Sequence, residues 1–271
     1  MSDRETFPSI PQAALLLLAG FMLQYVIGAG LYDVRRTLDL STNQMNALVT
    51  LLANGILLAF VVHIRGTTYG DLIHPSRSSH WGTLVLVVPP VLLLVPAILL
   101  LDTALISFLE SLFPLSLWEE QAFANMVSGN LAAVISTCVL APLLEEMLFR
   151  GVLLRGFLAQ HTRWAAISFS ALFFGVAHFN IYQFALAFLL GLLLGWLFER
   201  TRSLIPCIAL HAAVNTWIVA SATHEETSAQ SLTLTSTIAT WSVATTMAIA
   251  GLLILRRLFR SRATGGTTNA A

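Results

Sequence analysis

An all-helical, polytopic membrane protein is the fold class this sequence predicts, and three observations predict it. Of its 271 residues, 56% are hydrophobic and 10% charged. A soluble domain carries about 25% charged residues, so this chain cannot wrap a core in a wetted surface. The apolar residues gather in runs long enough to cross a bilayer, and the arginines gather between alternate runs. Soluble globular, disordered, collagenous and disulfide-framework classes fall to the same arithmetic.

Eight apolar runs are legible, at about 11–32, 43–64, 82–113, 127–157, 163–179, 181–199, 203–221 and 231–258, each read as a transmembrane helix. The first is too long for a signal-peptide core and no cleavage site follows it, so it is expected to stay. The third holds Pro89, Pro90 and Pro96 and should bend or break there. Three regions follow: residues 1–127 with the first three helices, a core over 128–220, and a last helix with its cytoplasmic tail over 221–271. The small polar tail from Ala263 to Ala271 is expected to be disordered.

Charge sets the expected orientation. The 14 basic residues, all Arg, balance 14 acidic ones, which gives no nucleic-acid reading. With the N-terminus inside, eleven arginines face the cytoplasm: 4, 65, 77, 155, 163, 200, 202, 256, 257, 260 and 262. Only Arg35 and Arg36 lie outside, a strong positive-inside bias that requires an even number of spans. The expectation is an integral plasma (cell) membrane protein with both termini cytoplasmic.

Ionisable residues inside a bilayer cost about 2.5–3.5 kcal/mol each at a helix centre, so they are the informative ones. Glu145, Glu146, His178 and His211 stand out, with Arg150 and Asn215 beside them. By helical rise, Glu145 and His211 lie roughly 15 and 13 Å from the inner ends of their helices, and His178 at a comparable depth. A shared site is therefore permitted. Glu146 and Arg150 are four apart and can neutralise one another. Glu145 is about 100° round the helix from Glu146, so one carboxylate can be structural while the other acts as a base. His211 and Asn215, again four apart, could present two donors to an oxyanion. His178 could hold a water against Glu145. Singly, each group also has a plainer reading: an ion pair or a hydrogen bond between packed helices. Cys138 and Cys207 read as packing residues, Asp102 as interfacial. His63, His74, His80, His161 and His224 carry no assigned role.

Other intramembrane chemistries lack their residues. There is no His-Glu-x-x-His, no Gly-x-Ser nucleophile, and no Gly-x-Gly-Asp to partner Tyr32-Asp33; zincin, serine and aspartyl proteases are thereby disfavoured. Instead, Glu145-Glu146-x-x-x-Arg150, Phe174-x-x-x-His178 and His211-x-x-x-Asn215 resemble the three signature motifs of the CPBP family. That family comprises type II CAAX prenyl endopeptidases and bacteriocin-processing or immunity proteins. The resemblance covers about 128–220 and includes the turn from Glu199 to Leu204.

It implies an intramembrane endopeptidase with a polar catalytic cavity inside the bundle. Glu145 would be the general base, His178 its partner on the water, and His211 and Asn215 the oxyanion hole. Glu146 and Arg150 would support the site. The family has been called both metalloprotease and glutamate protease. Zinc could be held by Glu145, His178 and His211, but no second carboxylate is then free as the base, so no cofactor is favoured. The substrate would be a membrane protein or lipidated peptide, prenylated CAAX proteins being one case; no nucleic acid is implied. Two other classes stay open: a transporter or proton relay using the same residues, and a catalytically silent scaffold or immunity protein.

Overall fold

The computed structural model describes residues 6–76, 78–225 and 234–264. Arg4, Arg77, Glu226 and most of the tail expected to be disordered lie outside the described residues. Among the described residues every regular element is helical. The helices are α1 (Ile10–Val34), α2 (Thr42–Arg65), the single turn α3 (Tyr69–Ile73), α4 (His80–Leu92), α5 (Val95–Leu112) and α6 (Leu117–Met126). They continue as α7 (Leu131–Gln160), α8 (Arg163–Val176), α9 (Ile181–Thr201), α10 (Ile205–Glu225) and α11 (Leu234–Thr264).

Among the described residues each of the eight apolar runs forms helix, and seven helices are long and apolar enough to cross a membrane. The exception is α8, whose 14 residues span only about 21 Å against a ~30 Å hydrocarbon core. It packs as a hairpin against α9, turned through Phe179 at φ 49°. Asn180 then caps α9, its Oδ1 accepting from the Tyr182 and Gln183 amides at 2.9 and 3.2 Å. The third run breaks at Leu93–Leu94, because Pro89, Pro90 and Pro96 withhold amide hydrogens and crowd the preceding turns. On α11, Gly251 lies against that break: a Cβ there would sit 2.5 Å from the Pro90 carbonyl oxygen.

The bundle has two chemically distinct poles. At one, Arg155 donates to the Asp71 carbonyl at 3.0 Å, Arg163 pairs with Glu199 at 3.0 Å, and Gln160 donates to the Pro8 carbonyl at 3.0 Å. His74, assigned no role from the sequence, is buried there. It bridges Ser203 Oγ at 2.8 Å and the Ser78 carbonyl at 2.6 Å. At the other pole, Asn43 donates to Ser128 Oγ at 3.1 Å and the Tyr182 hydroxyl donates to the Phe113 carbonyl. Glu119 caps α6 by accepting from Ser116, and these bonds, chiefly from the hydroxyl, hold its carboxyl below the usual range.

Gly251→Val should lower the detergent melting temperature, since backbone oxygen cannot yield as a side chain would; overpacking of this kind costs about 1–3 kcal/mol. Gly55→Ala, where a Cβ meets nothing within 4 Å, should leave the melt unchanged. Equal melts for both variants would contradict the close α4–α11 approach.

Candidate active site

The centre of α7 is irregular. Two π-helical segments, Ser136–Leu140 and Met147–Leu154, flank a regular stretch, Ala141–Glu146, that ends on the two glutamates. Such bulges leave carbonyls that a regular helix would use. The Ala141 amide bonds back to Ser136, and Pro142 has no amide hydrogen, so Thr137 has no donor at either the fourth or the fifth residue on. Asn215 of α10 fills the gap, donating through Nδ2 to the Thr137 carbonyl at 2.9 Å. One of its two amide hydrogens is thereby engaged and the other remains. Ser170 of α8 similarly donates to the Phe149 carbonyl at 2.9 Å.

Glu146 and Arg150 are both fully buried. The guanidinium Nη1 donates to Glu146 Oε1 at 2.6 Å, and Nη2 donates to the Gly191 carbonyl at 3.4 Å. Gly191 permits this approach, because a Cβ there would lie 3.0 Å from the Ala171 backbone. The other face of the guanidinium is covered by the Phe174 ring, 4.3 Å from its centroid, a favourable cation–π placement. Phe174 also meets His211 and His178 edge-on, at 5.6 and 5.1 Å between centroids.

His211 stands between the two carboxylates. Its Nδ1 lies 2.9 Å from Glu146 Oε1 and its Nε2 3.8 Å from Glu145 Oε2. An ionised carboxylate only accepts, so the proton of the short contact sits on Nδ1. His178 is set the same way, its Nδ1 2.8 Å from the Phe174 carbonyl. Glu145, by contrast, has a 29% exposed side chain and opens into a cavity of about 870 Å³.

Glu145, His178, His211 and Asn215 all line this cavity. Glu146 and Arg150 do not; they are sealed behind it. His211 differs from the sequence reading in its partner: its donor is turned to Glu146 in this conformation. Among the described residues no group of three or more His, Cys, Asp and Glu side chains is placed to hold a metal ion. Glu145, His178 and His211 thus do not form a ready zinc site.

Some lining residues escaped the sequence reading. Asp102, taken as interfacial, faces the cavity with Ile106 and Glu110, one face of α5 at steps of four. On α2, Asn43, Asn46, Thr50 and Asn54 line the opposite wall; their spacing is that of a polar helical stripe.

Residues 127–217 match the family described as "Type II CAAX prenyl endopeptidase Rce1-like", a segment that contains all three motifs. Over this segment, about a third of its length, the chain is similar to the Rce1-like CAAX/CPBP intramembrane proteases. It is also similar to a protein of Bacillus subtilis (strain 168) named "Putative membrane peptidase YdiL", 24% identical over 99 residues. That alignment spans 36% of this chain and 41% of the relative. No solved structure matches the chain.

Arg150→Met should destabilise the protein by about 3–5 kcal/mol, the scale for a buried charge left without its partner. Glu146→Gln/Arg150→Met should recover much of that loss in a detergent melt. A double variant that melts no higher than the single one would refute the pairing as the support of the site.

Proposed function

We propose that the chain is an intramembrane endopeptidase that hydrolyses a peptide bond of a membrane-associated or prenylated protein or peptide, with Glu145 as the general base. One observation carries this reading. Two adjacent carboxylates are placed in opposite settings, Glu146 buried against Arg150 and His211 Nδ1, Glu145 opening into the cavity with His211 Nε2 3.8 Å away. A base must be accessible and unpaired, whereas a positioning group must be neither.

Glu145 takes a proton from water as the oxygen attacks the scissile carbonyl carbon. His178, with its proton on Nδ1, offers Nε2 to the same water. The second amide hydrogen of Asn215 stabilises the developing oxyanion. Protonated Glu145 then delivers its proton to the leaving nitrogen, the C–N bond breaks, and a carboxyl and an amine are released. His211, held by Glu146 through Nδ1, turns its Nε2 toward Glu145 and fixes the side of the cavity on which the base stands. Support comes from the family match over 127–217 and from the buried His211–Glu146 pair.

Glu145→Gln keeps the volume but cannot accept the proton, so turnover should fall by at least ~10²-fold while substrate binding survives. His178→Ala should resemble it, and Asn215→Ala should lower kcat by about 10²-fold. Exhaustive chelation should leave the wild type active; loss in chelator with recovery on added zinc would point to a metal enzyme instead. Full activity in Glu145→Gln would refute the peptidase reading.

The orientation belongs to the same proposal. Short α8 runs from Arg163 at the arginine-rich pole to the turn before Asn180, which donates to Glu119 at the other pole, and so counts as the eighth crossing. The arginine-rich pole faces the cytoplasm, and both chain ends lie on that side. Reporters fused before Met1 and after Ala271 should both report cytoplasm. Ends on opposite sides would mean an odd number of crossings.

A further inference from the structure

The cavity belongs to one half of the bundle. Along α2 its lining runs from Asn43 to Leu57 and stops about two turns short of Arg65. Along α7 it reaches Phe149 and goes no nearer to Arg155. Its surface-exposed members, Asn46, Asn125 and Met126, form a rim at the pole opposite the arginines. That pole is also the acidic one: Asp33, Asp39, Glu110, Glu119 and Glu120 surround it, against Arg35 and Arg36.

The wall has a matching sign. Asp102, Glu110 and Glu145 give the lining three carboxylates, and among the described residues no arginine lines the cavity. The remaining polar lining is mostly amide and hydroxyl, including Asn43, Asn46, Thr50 and Asn54. A substrate ending in a free carboxylate would enter this wall against like charge, whereas a cationic group would find partners in a partly desolvated setting.

We infer that the cavity takes its substrate from the non-cytoplasmic side of the membrane, as a peptide segment with a cationic group beside the scissile bond. This rests on the peptidase reading and its orientation, and it gives Asp102 and Glu110 the part of specificity residues.

Two measurements test it without relying on turnover. In a Cys138→Ala/Cys207→Ala background, Asn125→Cys at the rim and Arg257→Cys at the other pole are exposed to a membrane-impermeant maleimide. In intact cells only the Asn125 variant should be labelled, and the Arg257 variant only in inverted vesicles. Labelling of Asn125→Cys only in inverted vesicles, or in neither preparation, would overturn the access route. Purified Glu145→Gln protein is then titrated at low salt with a fluorescent peptide carrying two lysines and with its two-glutamate counterpart. The lysine peptide should bind at least about 10-fold more tightly, and adding Asp102→Asn/Glu110→Gln should remove the preference. Equal affinities, tighter binding of the glutamate peptide, or a preference that survives the substitutions would overturn the charge assignment. A failure of the peptidase reading would show instead as absent hydrolysis with labelling and binding intact.

Discussion

The buried pair between Glu146 and Arg150, 2.6 Å long and closed to solvent at both ends, is the constraint on which the centre of the molecule depends. A guanidinium inside a bilayer is tolerable only if its charge is neutralised. Here three helices surround it. Glu146 from α7 itself and the Gly191 carbonyl from α9 accept from Nη1 and Nη2, and the Phe174 ring from α8 lies over its face. Among the described residues its Nε has no hydrogen-bond partner. Because α8, α9 and α7 all converge on one cation, their relative placement is fixed at the depth where the cavity begins.

What the pair does for chemistry follows from its neighbour. With Glu146 already neutralised, it can hold His211 through Nδ1 without drawing a second cation into the site. The imidazole is thereby turned so that its other nitrogen faces Glu145. Neither carboxylate could take the other's part. Glu146 has no solvent access, and Glu145 lies on the cavity side of the helix. The first π segment belongs to the same design, since it releases the Thr137 carbonyl that Asn215 uses to dock α10, while Ser170 of α8 docks on the Phe149 carbonyl in the second.

Much of this was legible in the sequence because it rests on spacing. Glu146 and Arg150 four apart, and Phe174 and His178 four apart, meet as helical geometry requires, and the apolar runs locate the helices. The break in the third run follows from its prolines. Other features had no such signal. The π segments arise from a missing amide at Pro142 combined with tertiary docking, which no local propensity encodes. His211 choosing Glu146 depends on how α10 packs against α7. The Asn43, Asn46, Thr50 and Asn54 stripe and the Asp102–Glu110 pair did have a signal, a helical period of polar residues. Averaging hydropathy over a span conceals such a stripe, and reading Asp102 singly conceals its partner.

The account stands on the protonation of His211. Selective ¹⁵N labelling of the histidines, with His211→Gln to assign its resonances, reports that state directly in the purified protein near neutral pH. A protonated Nδ1 is the predicted result, with the Nδ1 resonance moving in Glu146→Gln. An Nε2-protonated tautomer with a bare Nδ1 would contradict it, because Glu146 would then not be holding the ring and Glu145 would not be the free carboxylate.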